Sequence, residues 1–328
     1  PLAYTIATQN LSLPKNAKCN RKVLGYDLDK KRIQELNRGF DKNNMFTKDS
    51  KEILKSIFFT NEKNLLNDIE VFIITVPTPL KEKNEPELSF IKEASKTIGK
   101  AIKSNKNKEI NQIVIYESTV YPGVTEDICI PIVEAESGKK YNSEEYKNSF
   151  YCGYSPERIN PGDTDKTIDS IIKVTSGSNK KISLWVDKFY KSFISAGTFN
   201  VSNIKVAESA KIIENTQRDI NIALVNELSI LFKKMDIDTN EVLNAADTKW
   251  NFQKFRPGLV GGHCIGVDPY YLKFKALKEG FRPKLISSGR SINDLMPKFI
   301  FGEIKRVLNK KKRNLRNNKI LFLGIAFK

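Results

Sequence analysis

Gln112–Gly123 reads Q-I-V-I-Y-E-S-T-V-Y-P-G. Its apolar part is unbroken and too short for a helix, which predicts a strand covered on both faces. Glu117-Ser118-Thr119 then forms either a plain turn or the end of the sheet at which open α/β folds bind ligands. Four more runs share this character: Lys22–Asp27 (KVLGYD), Val71–Val76 (VFIITV), Ile171–Thr175 (IIKVT) and Lys319–Gly324 (KILFLG). Amphipathic stretches lie among them at Ile33–Asn37, Phe90–Ala101 and Lys181–Phe193. Alternation of strand and helix predicts an α/β fold with a doubly wound parallel sheet.

The chain then changes character. Asn203–Asp236 contains neither Gly nor Pro, and its apolar residues recur at helical spacings: Val206, Ala210, Ile213, Ile220, Leu224, Leu228 and Leu231. This predicts one helix roughly 45 Å long at 1.5 Å per residue. It is apolar on more than one side, so a second helical domain or a partner subunit must cover it. Further helices are expected at Thr239–Ala246 and Ser287–Val307, and a new strand near Ile320.

Composition narrows the function. The 328 residues are 40% hydrophobic and 10% aromatic, enough to bury a core and against intrinsic disorder. The net charge of +17 suits an anionic partner such as a phosphorylated small molecule. Eight basic residues and no acid fall within Lys305–Lys319, but no aromatic interleaves them. That run reads as a solvated linker rather than a nucleic-acid surface. With one histidine, His263, and cysteines at 19, 129, 152 and 264, no zinc spacing exists, so no metal is expected. No apolar run spans a membrane and no signal peptide is visible, which predicts a cytoplasmic protein with reduced thiols.

The residues that carry chemistry are grouped in loops. Asp27 ends the first expected strand; it is a turn or helix cap, or the acid that binds an adenosine ribose, with Arg32 just beyond. The glycine fingerprint expected some twenty residues earlier is absent, since the first glycine is Gly25. Thr78, in V-P-T-P, follows another strand and suits a cofactor contact. Glu157 lies in the polar loop S-P-E-R-I-N-P-G-D, 155–163, and is a candidate general acid or base. Glu208, Lys211 and Asn215 share one helix face. They form an interdomain hydrogen-bond network, or aim Lys211 and Asn215 into a cleft to stabilise an oxyanion.

The strongest local signal is Arg256–Asp268, R-P-G-L-V-G-G-H-C-I-G-V-D, with glycines at 258, 261, 262 and 266. Such a loop lets backbone amides approach a ligand and favours thiolate at Cys264, unless Cys264 is a structural thiol in a tight turn. Asp268 is placed to act as base or orienter, whereas adjacent His263 points the opposite way in an extended chain.

Together Y-E-S-T-V-Y-P-G, S-P-E-R-I-N-P-G-D, K-V-A-E-S-A-K-I-I-E-N-T-Q-R-D and R-P-G-L-V-G-G-H-C-I-G-V-D-P-Y-Y-L resemble the nucleotide-sugar 6-dehydrogenases, from residue 1 to 328. They look most like the UDP-N-acetylglucosamine/galactosamine branch, which feeds capsule and O-antigen uronic acids. The resemblance implies four-electron oxidation of a UDP-N-acetylhexosamine at C6 with two NAD⁺, through a cysteine thiohemiacetal and thioester. By resemblance Cys264 is the nucleophile, Lys211 and Asn215 stabilise the oxyanion, Asp268 assists proton transfer, and Glu157 and Thr119 activate the alcohol or water. Asp27, Arg32, Thr78 and Thr119 match cofactor positions. Glu157, Arg158, Lys211, Asn215, Arg256, Gly258, Gly261, Gly262 and Lys328 match the substrate side.

The implied organisation is a Rossmann-like NAD-binding domain over 1–200, N-terminally truncated, and a helical dimerisation domain over 201–300. A basic linker over 301–328 would end in the first strand of a second, truncated Rossmann-like domain. A homodimer through the 203–236 helix is expected.

Some features depart from the family. The chain starts at the Pro-Leu-Ala that closes the family's glycine turn, and Tyr4–Arg21 is longer and more polar than the family's first helix. Where the UDP-glucose branch has a second glutamate, this chain has Pro161. Truncation at both ends predicts weak or absent activity for the chain alone. Competing readings are a two-electron β-hydroxyacid-type dehydrogenase, a basic nucleic-acid-binding protein, and a remnant that binds no NAD⁺.

Overall fold

The computed structural model describes residues 2–12, 21–41, 54, 56–107, 110–144, 148–159, 167–261, 265–313, 315–321 and 323. The chain divides into two compact units, one of residues 1–78 and 88–209, the other of residues 79–87 and 210–328.

The first unit is α/β. Helix α1 (Leu2–Ser12) precedes β1 (Leu24–Tyr26), α2 (Lys30–Asn37), β2 (Phe58–Thr60) and β3 (Val71–Ile74). Next come α3 (Ser89–Ser104), β4 (Ile113–Tyr116), α4 (Ile130–Ser137), β5 (Lys140–Tyr141) and β6 (Ser149–Tyr154). Strand β7 (Lys173–Gly177), α5 (Lys180–Lys191) and β8 (Thr198–Asn200) complete it. Strands β1 and β2 form a parallel pair, while the larger sheet runs β3-β4-β6-β7-β8 with β5 on β6.

The expected parallel sheet therefore forms, with one antiparallel step between β6 and β7. The strand expected at 171–175 forms at 173–177, after a 3-10 turn at Ile168–Ser170.

All four residues of β4 are buried, as the unbroken apolar run requires. Ile113 and Ile115 pack with Ile182, Val186, Tyr190 and Phe193 of α5 and its end, and with Leu2 and Ile6 of α1. A second cluster joins Ala7, Ile33, Leu54, Ile57 and Phe59 around the β1–β2 pair. Helices α3 and α4 approach so closely at Gly99 that a Cβ there would lie 2.6 Å from Cβ of Glu136.

The long helix is present as α6 (Ile204–Lys234), 31 residues, and the unit boundary falls within it between Ser209 and Ala210. The second unit continues with α7 (Thr239–Ala246), α8 (Asp268–Lys278) and α9 (Lys284–Lys310). Helix α7 matches expectation and is capped by Asp238, whose carboxylate accepts from the amides of Asn240 and Glu241. Helix α8, unheralded by periodicity, opens on Asp268-Pro269; proline is pre-set for a first helical turn.

Helix α6 is amphipathic in an inverted sense. Lys211, Asn215, Asp219 and Asn226 recur at 4, 4 and 7 residues on one face, and all are buried. Val206, Ile213, Leu224 and Leu231 recur at 7, 11 and 7 on the opposite face, and all are exposed by 42–56%.

The strand expected over Lys319–Gly324 does not form in the residues described there. Lys319–Leu321 carry no ladder, and Ile320, Leu321 and Leu323 are exposed. A parallel strand is held by its neighbours, and no described strand pairs with this run. Residues 322 and 324–328, including Lys328, lie outside the described residues.

Candidate active site

In the first unit, parallel strands deliver the candidate residues to their C-terminal ends. Asp27, directly after β1, is exposed; its Oδ1 accepts from the Asp29 amide at 2.9 Å. The helix cap is Asp29 itself, which accepts from Lys31 and Arg32 amides. One oxygen of Asp27 thus builds the turn, and no described residue takes the other. Arg32 is ion-paired with Asp41, and more distantly with Glu35 at 3.7 Å. After β3 and β4, Thr78 Oγ1 donates to the Thr119 carbonyl at 2.6 Å and Ser118 Oγ to the Val76 carbonyl at 2.7 Å. The first of these bonds brings Thr78 and Thr119 together.

Beside them is a buried ionic cluster. Lys173 Nζ, on β7, lies 2.8 Å from Glu117 Oε2, and Tyr190 of α5 donates to Glu117 Oε1. Burial pushes the Glu117 carboxyl above its ordinary range, although Lys173 pulls it down. Tyr190 is raised further, by burial and then by the Glu117 charge. Glu157 Oε2 sits 4.0 Å from Lys173 Nζ, while its Oε1 accepts from the amides of Arg158 and Ile159. The Arg158 guanidinium donates to the Ile172 carbonyl. Lys173 was not singled out from sequence, but a lysine inside an otherwise apolar strand run is its signal.

Glu208 separates from its two expected companions. Fully buried, it accepts from the amides of Gly123 at 2.6 Å and Thr125 at 3.0 Å, within the first unit. Gly123 holds φ +101°, a conformation that favours glycine. Burial raises the Glu208 carboxyl to about 7 despite those amides.

In the second unit, Asn215 Nδ2 donates to Asp268 Oδ2 at 2.6 Å. Asp268 is 3% exposed. Desolvation lifts its carboxyl to about 6, opposed by the Asn215 bond and the Lys211 charge. A carboxyl near neutrality can both take and return a proton at physiological pH. Lys211 is buried as well. Arg256 binds Asp247 and, at 3.0 Å, Asn244 Oδ1. The Gly258 amide and carbonyl are both held by Asn226. Gly261 is partly exposed, while Gly262, His263 and Cys264 lie outside the described residues.

Sequence reasoning stopped at Asn215 and missed Asn226, although both fall on the buried polar face of α6. It also missed Asp219, Arg290 and Asn293, which are joined by hydrogen bonds of 2.6 and 2.7 Å. Among the described residues, no group of three or more His, Cys, Asp or Glu is placed to hold a metal.

Residues 12–194 match the NAD binding domain of the UDP-glucose/GDP-mannose dehydrogenase family, and residues 205–295 match its central domain. A UDP-N-acetyl-D-glucosamine 6-dehydrogenase of Pseudomonas aeruginosa is 48% identical over 310 residues, 94% of this chain and 70% of that protein. One from Salmonella typhi is 47% identical over 309 residues, with 94% and 70% covered. The solved UDP-D-ManNAc dehydrogenase of Pyrococcus horikoshii superposes with a TM-score of 0.79 at 29% identity, over 95% of this chain and 70% of that one. Two family domains in order, on a parallel sheet followed by a long helix, bear out the resemblance carried by the four motifs: the chain belongs to the UDP-glucose/GDP-mannose dehydrogenase family.

Proposed function

We propose that the protein oxidises the C6 hydroxyl of a UDP-N-acetylhexosamine to the uronic acid, in the cytoplasm, for capsule or O-antigen synthesis. The observation that carries this reading is Asp268, a buried carboxyl near neutrality, bonded to Asn215 beside Lys211. It closes the glycine loop that contains Cys264.

The residues present suit NAD⁺ at its ribose and nicotinamide ends. Asp27 offers an unengaged carboxylate oxygen after the parallel strand β1, and the Thr78–Thr119 pair stands after β3 and β4. Bound NAD⁺ supplies the hydride acceptor for both oxidations. Arg32, held by Asp41, borders the adenosine side.

In the first oxidation Glu157 takes the hydroxyl proton, with Thr119 hydrogen-bonding the hydroxyl, as C6 gives up a hydride, leaving the aldehyde. The Cys264 thiolate adds to C6, and Lys211 and Asn215 hold the resulting oxyanion, consistent with their shared burial. Loss of a second hydride from C6 leaves a thioester. Water, deprotonated by Asp268, displaces the thiol and releases the carboxylate. A two-electron dehydrogenase needs no thiol; alcohol-to-acid oxidation does, because the thiohemiacetal presents the second hydride. Arg158, Arg256, Gly258, Gly261, Gly262 and Lys328 are assigned to the sugar nucleotide.

The protein acts as a homodimer through α6. Its exposed apolar stripe is reason enough for a covering partner, and a groove of about 700 Å³ beside it is lined by Ile213, Ile220, Leu272, Phe281 and Leu285. A second copy offers the same apolar face in return.

Product analysis of Cys264→Ala tests the reading. With UDP-N-acetylglucosamine, or its galacto epimer, and NAD⁺, the wild type yields uronate and the variant none. Uronate from the variant at the wild-type rate would sink the thioester route.

A further inference from the structure

The antiparallel step in the sheet sets a buried lysine behind Glu157. Strand β7 pairs with β6 so that Gly153 lies opposite Gly177 and Tyr154 opposite Ser176. Carried three residues further, that register sets Glu157 opposite Lys173. A lysine at the start of β7 thereby reaches the end of the sheet at which β4 releases Glu117.

This lysine is fixed from within the fold. Its Nζ lies 2.8 Å from Glu117 Oε2 and 5.4 Å from the centre of the Tyr190 ring. Tyr190 donates to the other oxygen of Glu117. Lys173 and Glu117 are each 2% exposed and Tyr190 is fully buried. A lysine side chain ordinarily samples many rotamers; here burial and the Glu117 bond hold the ammonium in one place.

Glu157 is fixed by one oxygen and left open at the other. Its Oε1 accepts from the amides of Arg158 at 2.6 Å and Ile159 at 2.9 Å. Its Oε2 lies 4.0 Å from Lys173 Nζ, an ion pair too long to be a hydrogen bond. No described residue donates a hydrogen bond to Oε2, so that oxygen has a charge facing it and a lone pair to offer.

We infer that Lys173 is a positioning residue for the reaction: its ammonium, fixed by Glu117 and Tyr190, orients Glu157 Oε2 as the oxygen that takes the substrate's hydroxyl proton. Lys173 keeps its own proton throughout. Being buried, it acts through Glu157 and not by contact with the sugar.

The inference rests on the proposed role of Glu157 as base, but its main readout needs no turnover. Glu157 is coupled to glycine amide with a water-soluble carbodiimide, which reacts through the protonated carboxyl, and the rate is followed by peptide mapping. The wild type, Lys173→Met, Lys173→Arg and Tyr190→Phe are compared. Lys173→Met combined with Glu117→Gln leaves no unpaired buried charge, and replaces the single variant where that one does not fold. Thermal melting identifies the folded variants, and Glu241, exposed on α7, gives a reference rate within each digest. Loss of the cation should speed Glu157 coupling about fivefold, the ratio that two unit charges about 4 Å apart represent in water-like surroundings. Lys173→Arg keeps the charge and should couple like the wild type. Tyr190→Phe removes a buried bond and keeps the cation, so it should do the same, whereas a merely structural cluster would move Glu157 in both Tyr190→Phe and Lys173→Met. Equal rates throughout, Lys173→Arg as fast as Lys173→Met, or the same rise in Tyr190→Phe overturns the inference. With UDP-N-acetylglucosamine and NAD⁺, Lys173→Met should lower kcat and leave KM in place; a raised KM with unchanged kcat overturns the inference too. A wild type without turnover would count against the proposed reaction and leave the coupling rates to decide the inference.

Discussion

Replacing Asp268 by Asn removes a buried charge while keeping the shape and the acceptor for Asn215. Asp268 has a carboxyl raised to about 6, where 3.8 is ordinary. At about 1.36 kcal/mol per pH unit, the gap corresponds to about 3 kcal/mol. The direction follows from the proton balance. Below pH 3.8 the carboxyl is neutral in both folded and unfolded chains, so it costs nothing. Between 3.8 and 6 the unfolded chain ionises first, and the folded state loses ground as pH rises. Above 6 the whole burden of an ionised, desolvated carboxylate is present. The amide of the Asp268→Asn variant has no such window. Urea unfolding at a series of pH values from about 4 to 7.5 should therefore show the variant gaining about 2.5 kcal/mol on the wild type across that range. Taking the difference between the two proteins removes every other titrating group from the comparison. Parallel stability curves would refute the buried-carboxyl argument. The same variant should lose most of its uronate production if Asp268 deprotonates the hydrolytic water.

Further predictions follow from other buried groups. Glu208→Gln should flatten the wild-type loss of stability between pH 4.5 and 7, a change of about 3 kcal/mol, because Glu208 is fully buried with a carboxyl near 7; the same urea series checks it. Lys173→Met leaves Glu117 buried without its cation and should cost about 3 kcal/mol at pH 7, less in acid where Glu117 is neutral. Leu224→Glu with Leu231→Glu places charge on the exposed stripe of α6 and should shift sedimentation to the monomer. A double variant that stays dimeric would move the interface elsewhere.

The sheet was legible through its apolar runs, and β4, buried at every residue, is the clearest case. Strand β6 escaped notice because S-F-Y-C-G-Y mixes small and aromatic residues, and only its place between β4 and β7 makes it a strand. The run at 319–324 had the right composition, but composition does not supply a neighbouring strand. Candidate residues at strand ends were readable wherever a turn motif followed, as with Thr78 and Thr119. Lys173 and Tyr190 were not, since their pairing with Glu117 joins positions 56 and 73 residues apart. The buried polar face of α6 was only half read. Helical spacing tied Lys211 to Asn215, and the same arithmetic reaches Asp219 and Asn226, whose partners come from α9 and the glycine loop.

The central claim is a four-electron oxidation through Cys264, and counting reducing equivalents tests it most directly. The enzyme is incubated with a limiting amount of UDP-N-acetylglucosamine and excess NAD⁺, and NADH is measured by absorbance against sugar consumed. The account predicts two NADH per sugar, with uronate as the product and Cys264→Ala unable to complete the second oxidation. One NADH per sugar, with a Cys264→Ala variant that turns over like the wild type, would contradict it and place the protein among two-electron dehydrogenases.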